Sequence, residues 1–388
     1  MTRIAIIHRK FGIGGGESVC FHILEALQDS YDVHLFALEE PEFERLNKAF
    51  GTDVDNVTVH APPWLARSTR LVNTLSSKAT GGAASVQTGL ELSALSRRYG
   101  SEWNSFDLRI STHGELPLSP PAIQYLHHPF LNRWKGGGHF EIEGPLGENF
   151  NKAYTMLSGA TPDVVRQSEL LTNSEWTADQ IEKLYHNRPA VVYPPIRTNK
   201  FEGIPWNQRE NGFVSVGRVS RDKHTHRAID IINEVRSNGY DVHLHLVGNI
   251  DVDTQYGRRI VRAGENYDWL KIEGRVPQEK LYEVIERHRW GLHTKPFEHF
   301  GMAVAEFVAG GTIPFVPNNG GQVEIVKRLS SLCYSSNNDA VVKISRCLES
   351  KENVMTIRNR LSNRESEFKR NKFMEEIKNL VAINIDIN

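Results

Sequence analysis

Short apolar runs alternate with stretches of helical spacing along this chain. Residues 4–7 form one run, glycines follow, and then Val19, Cys20, Ile23, Leu24 and Leu27 recur on a single helical face. Residues 33–38 form the next run. An apolar run, an amphipathic stretch and another run predict a βαβ unit, and repetition of that unit predicts a parallel, doubly wound sheet. The rhythm restarts at 213–216. It continues through a helix over 224–236, a strand over 242–247, a helix over 256–263 and a strand over 270–272. A helix over 278–288, a strand over 290–293, a helix after Gly301 and a strand over 313–316 complete the series.

The pattern therefore predicts an α/β protein with two doubly wound domains, 1–195 and 196–364. Pro194 and Pro195 suit a chain passing from one to the other. Residues 365–388 read as a charged amphipathic helix that packs back across the domains. No internal repeat or low-complexity segment interrupts this plan.

Composition adds mainly exclusions. A length of 388 residues suffices for two domains, and 39% hydrophobic with 24% charged residues describes a globular chain. A formal net charge of −1 gives no reason to expect nucleic acid as a partner. The N-terminal run reads as a strand rather than a secretory segment, and no apolar stretch approaches the ~18 residues of a spanning helix. Cys20, Cys333 and Cys347 are odd in number and lack metal-type spacing, so reduced thiols and a cytoplasmic location are expected.

One stretch departs from the average. Residues 56–90 contain no acid, while Arg67, Arg70 and Lys78 lie among Trp64, Leu65, Leu71, Val72 and Leu75. It reads either as a surface helix with a turn at Gly81 and Gly82, or as a peripheral contact with anionic lipid headgroups or a lipid-linked acceptor at the cytoplasmic membrane face.

Three segments carry candidate chemistry. Gly12, Gly14, Gly15 and Gly16 lie between a strand and a helix, where bare backbone and helix-start N–H groups suit an anion. A dinucleotide fingerprint would need Gly or Ala at position 17, where Glu17 stands; Glu39 keeps that reading in play. Arg218 and Lys223 fall in the loop after the first strand of the second block, where α/β ligands gather and where both side chains suit a diphosphate or solvent equally. Glu298 precedes Gly301, and Glu306 is the only charged residue of the apolar helix that follows, so it needs a cleft, a ligand hydroxyl or an Arg partner.

In its ordered set of motifs the chain resembles the large retaining GT-B family, often called glycosyltransferase family 4. The matches are Gly14 to Glu17, Tyr125 to Pro129, Leu171 to Ser174, Val192 to Pro195, Gly217 with Arg218 and Lys223, Leu246 to Gly248, the Glu298 and Glu306 pair, and Asn319 to Val326. The resemblance implies GT-B architecture, two Rossmann-like domains facing across a cleft, with a nucleotide sugar held mainly by the second. It implies that Arg218 and Lys223 neutralise the donor diphosphate, a transition-state effect, and that Gly15 and Gly16 complete the clamp. Glu298 would contact sugar hydroxyls with the backbone of Phe300, Gly301 and Met302, and Glu306 would bind the ribose. His127 matches the histidine near the reacting carbon, with His128 as its rival.

Metal and cofactor are not implied, so Asp251 and Asp253 are not read as a metal motif. His224 stands where Gly commonly follows the lysine, Thr294 and Lys295 replace Pro-Ser, and His299 replaces Gly. The wording from Glu298 to Gly301 is similar to that of mannosyltransferases extending lipid-linked oligosaccharides, which favours GDP-mannose over UDP-sugars as donor and a glycan or lipid-linked acceptor. The alternatives are a GT-B-like accessory protein without turnover and, less favoured, an NAD-dependent oxidoreductase.

Overall fold

Strand β1 (Arg3–Ile7) has apolar residues pointing alternately to two cores, Ile4 and Ile6 to one and Ala5 and Ile7 to the other. A strand covered on both faces is what a parallel sheet between helices requires. With β2 (Asp32–Phe36), β3 (Thr58–His60), β4 (Leu108–Ser111), β5 (Ala122–Leu126), β6 (Glu169–Thr172) and β7 (Ala190–Val191) it forms a seven-stranded sheet, all pairs parallel, in the order β3-β2-β1-β4-β5-β6-β7. The computed structural model describes residues 1–64, 84–129, 131 and 145–386. Of the acid-free stretch 56–90, residues 65–83 lie outside the described residues; Trp64 is described and 56% exposed.

A second parallel sheet contains β8 (Glu210–Val216), β9 (His243–Val247), β10 (Leu270–Gly274), β11 (His288–Leu292), β12 (Ile313–Pro317) and β13 (Cys333–Tyr334), in the order β10-β9-β8-β11-β12-β13. The helix Gln278–Arg287 runs straight into β11, so this strand begins at His288 rather than at 290 as its apolar pattern suggests.

The chain divides into two compact units, Ile196–Lys369 and the remainder. Where one helix is expected over 365–388, the structure has two elements. A 3-10 turn, Arg364–Phe368, stays with the second unit, where Phe368 is fully buried beside Phe300 and its carbonyl accepts from Ile196 N–H at 2.7 Å. The helix Arg370–Asp386 then packs on the first unit, adding Phe373, Ile377 and Val381 to the core beneath Gly15–Leu27. That cover explains why Gly15–Leu27 is buried almost all round rather than on one face. Among the described residues no helix is long and apolar enough to cross a membrane.

In each sheet the first strand lies between the next strand in sequence and one reached only after the winding reverses. These reversals, β1 beside β4 and β8 beside β11, open a crevice at the carboxyl ends of the strands.

Candidate active site

At the reversal in the second sheet, the loop leaving β8 supplies Lys223 and the loop leaving β11 supplies Glu298. The structure joins them directly, with Lys223 Nζ 2.7 Å from Glu298 Oε2. Lys295 Nζ lies 3.5 Å from the other oxygen and His293 Nε2 3.8 Å from Oε2. Glu298 retains only 16% side-chain exposure. Burial alone would raise its pKa, but the ammonium groups of Lys223 and Lys295 overcome that cost and hold it well below the usual carboxylate range. Burial also pulls Lys295 below its ordinary value and His293 down to about 4, so the imidazole is neutral at pH 7. Arg218, from the same loop as Lys223, extends outward with 71% side-chain exposure and lies 3.8 Å from Asp222.

Backbone contacts fix this cluster. Thr294 Oγ1 donates to the Lys223 carbonyl at 2.9 Å, tying the two loops together. Glu298 bridges to Gly320, its carbonyl accepts from Gly321 N–H at 2.7 Å, and Asn319 Oδ1 accepts from Phe297 N–H at 3.0 Å. A Cβ on Gly320 would stand 2.7 Å from the Glu298 backbone, so only glycine permits the approach. Two non-glycine residues flank the cluster in the left-handed region, Phe297 and His224, each at φ 53°. His224, after the lysine, stands where the resemblance leads one to expect Gly, and a side chain at this φ costs about 1–2 kcal/mol.

Gly301, at φ 106°, caps the helix Met302–Ala309. Phe300 is 3% exposed and packed on Phe368, which leaves only its backbone to serve a ligand. Glu306 lies partly buried on this helix, with Gln278 Nε2 at 3.5 Å as a weak donor. Burial pushes its carboxyl up to about 7. Glu298 is thus a permanently ionised carboxylate, and Glu306 one that titrates at neutral pH.

In the first unit the helix Gly15–Leu27 starts at Gly14, beside the carboxyl end of β1. The Glu17 carboxylate curls back over the turn, and a Cβ on Gly14 would stand 2.6 Å from it. A carboxylate at a helix start is favourable, and it opposes a dinucleotide pyrophosphate in the same place. Gly16 faces His127: a Cβ there would stand 3.3 Å from His127 Nε2. His127 follows β5, lies with its ring 5.0 Å from that of Tyr125 at a tilt of 52°, and has a buried Nε2 with no hydrogen-bond partner among the described residues. Burial lowers its pKa to about 4.

His8 and His113 follow β1 and β4, so three histidines stand at the ends of adjacent strands. His8 Nδ1 is 2.9 Å from Thr112 Oγ1, the His8 and His113 rings lie 5.0 Å apart, and burial lowers both pKa values. Beside them the fully buried carboxylate of Glu91 is paired with Arg9 and Lys10.

Sequence reasoning missed His8, His113, Glu91, His293 and the role of Lys295. For Lys295 a signal existed, the replacement of Ser in the family pattern. The others became visible only when strand ends were brought side by side. Asp251 and Asp253 sit in the exposed turn before the helix Gln255–Asn266, where Asp253 N–H donates to Asp251 Oδ1 at 3.0 Å. Cys20, Cys333 and Cys347 are buried free thiols whose pKa values burial raises.

The fold and this arrangement define a GT-B protein, with two Rossmann-like doubly wound domains. Residues 196–367 match the family Glycosyl transferases group 1. The chain is 24% identical over 373 residues to a Neurospora crassa GDP-Man:Man(3)GlcNAc(2)-PP-Dol alpha-1,2-mannosyltransferase, covering 79% of this chain and 66% of that one. The Caenorhabditis elegans protein of the same name is 25% identical over 181 residues, covering 42% of this chain and 38% of its own. The chain therefore spans less than two thirds of either relative. Among solved structures, Anabaena Alr3699/HepE in complex with UDP superposes with a TM-score of 0.69 at 15% identity, covering 98% of this chain and all of that one.

Proposed function

We propose that this protein is a retaining glycosyltransferase that moves a hexose, with mannose favoured, from a nucleotide sugar to a glycan or lipid-linked acceptor without a metal ion. The observation that carries the reading is the Lys223, Lys295 and Glu298 cluster at the strand reversal of the second sheet. A buried carboxylate held ionised by two ammonium groups offers strong acceptor atoms for sugar hydroxyls. The cations beside it suit a diphosphate.

In this reading the bond between the sugar's anomeric carbon and the donor phosphate oxygen breaks, and the electron pair leaves with the nucleoside diphosphate. Arg218 and Lys223 stabilise the charge that develops there. The acceptor hydroxyl oxygen bonds to the same face of the anomeric carbon, and its proton passes to the departing phosphate. Lys223 is shared between Glu298 and the phosphate, and Lys295 keeps the carboxylate neutralised as Lys223 turns to the leaving group. Glu306, ionised above about pH 7, accepts from the ribose hydroxyls. In the first unit Gly15, Gly16 and His127 take the roles that the resemblance implies, and His127 rather than His128 is assigned on the strength of its contact with Gly16. The relatives' names support GDP-mannose as donor and a lipid-linked acceptor.

The test is a thermal-shift screen over GDP- and UDP-sugars, followed by transfer of label from the best donor to glycan and lipid-linked acceptors. GDP-mannose should stabilise most, and the product should keep the donor's anomeric configuration at a rate indifferent to EDTA. A larger shift with a UDP-sugar would overturn the donor assignment. Binding with neither transfer nor donor hydrolysis would favour the accessory reading.

A further inference from the structure

The opposite end of the second sheet holds a side-chain cluster that no step of the proposed reaction uses. β8 is flanked by β9 and β11, with Glu210 in register with His288 and Gly212 in register with His243. These residues begin their strands, whereas Lys223 and Glu298 follow strand ends, about 20 Å along the strands. His243 and His245, two apart on β9, share one face of the sheet.

Four side chains converge there. One ligand-capable atom from each of Glu210, His243, His245 and His288 lies within 4.8 Å of the others. Glu210 Oε2 is 3.1 Å from His243 Nε2 and 3.7 Å from His288 Nε2. The three rings lie 4.4 to 5.2 Å apart. His288 Nδ1 is 2.6 Å from the Val284 carbonyl, which can only accept, so this nitrogen carries the proton and Nε2 presents a lone pair to the cluster. Glu273 Oε1 lies 2.8 Å from His245 Nδ1 and is held by Lys271 at 3.2 Å. Among the described residues the buried Nε2 atoms of His243 and His288 make no hydrogen bond.

Gly212 completes the cradle. A Cβ at this position would stand 2.1 Å from His243 Nε2, so the missing side chain is what lets this imidazole lie over β8 towards Glu210.

We infer that Glu210, His243, His245 and His288 bind one divalent transition-metal ion, of which zinc fits best. Three imidazoles and one carboxylate, two of the imidazoles buried, make a closed four-ligand set of the structural kind. Glu210 Oε1 is already held by Arg287 at 2.9 Å, which leaves Oε2 as the coordinating oxygen. The ion clamps the amino ends of three adjacent strands and takes no part in glycosyl transfer. The inference stands whether or not the proposed function does.

The test uses the full chain stripped with EDTA, desalted and titrated with zinc chloride by calorimetry, then with cobalt chloride by visible absorption. One zinc ion per chain should bind and raise the Tm, and cobalt should give the intense bands of a tetrahedral site. Glu210→Gln and His243→Gln, at partly exposed positions, should each weaken binding about tenfold or more, with the Tm in EDTA unchanged. His60→Gln, which alters the separate His34 and His60 pair, should leave binding unaffected. Binding below one ion per chain, binding that survives both cluster variants, or equal loss in His60→Gln would overturn the assignment.

Discussion

The two sheets repeat one winding order, yet their crevices are furnished with opposite chemistry. At the reversal of the first sheet stand His8, His113 and His127, imidazoles that burial keeps uncharged. At the reversal of the second stand Lys223, Lys295 and Glu298, a charged cluster whose members neutralise one another. Topology therefore decides where a ligand can sit, and the residues following the strands decide what it can be. Neutral rings suit an uncharged, hydroxyl-bearing group, whereas paired cations suit phosphates.

Removing the charge on one side is the severest test of this contrast. Lys223→Ala should lower kcat by about 10²–10³ with little change in donor affinity, because the lost interaction is strongest when the leaving group carries its full charge. Unchanged turnover by steady-state kinetics would remove the second crevice from the chemistry. The first crevice is tested by Gly16→Ala, whose Cβ must displace His127 by a few tenths of an ångström. About a tenfold loss in kcat is expected, with an unchanged Tm. A Tm loss at constant kcat would instead make His127 a packing residue.

A smaller effect separates the two acids of the second unit. The folded pKa of Glu306 is raised to about 7, so its stabilising contribution is complete below the unfolded value of 4.5 and is lost as pH rises through 7. Glu306→Gln should therefore raise the Tm at pH 8.5, leave it nearly unchanged at pH 4, and weaken nucleotide binding at pH 8.5. Glu298, whose pKa is depressed, has the opposite sign: its contribution is fully present above its unfolded value of 4.5 and is lost progressively as pH falls below that value towards the folded one. Equal Tm shifts for Glu306→Gln at both pH values would show that this carboxyl is not desolvated. Smallest of all, His224→Gly relieves a left-handed φ and should stabilise by up to about 1 kcal/mol in chemical denaturation, the greater freedom of glycine in the unfolded chain offsetting part of the relief.

Much of this was legible beforehand. The βαβ rhythm is a local property of spacing, so both parallel sheets and the break near residue 195 could be read directly. Arg218, Lys223, Glu298 and Glu306 were singled out by loop position and by an isolated charge in an apolar helix, which are also local signals, and their roles came only from the resemblance. The start of the tail helix was not legible for the same reason. Its amphipathic spacing continues through 365–369, and only the seat of Phe368 beside Phe300 shows why the helix cannot begin before Arg370.

The sequence by itself determined the fold class, the two-block plan and the residue types able to meet a phosphorylated sugar, because periodicity and turn chemistry act over a few positions. Only the tertiary structure decided which of those residues touch. Lys223 and Glu298 are 75 positions apart and Glu210 and His288 are 78 apart, and no local pattern encodes a pairing that depends on which strands become neighbours. The strand reversal put the first pair at one end of the sheet and the second at the other, and burial then set the charge that each group carries.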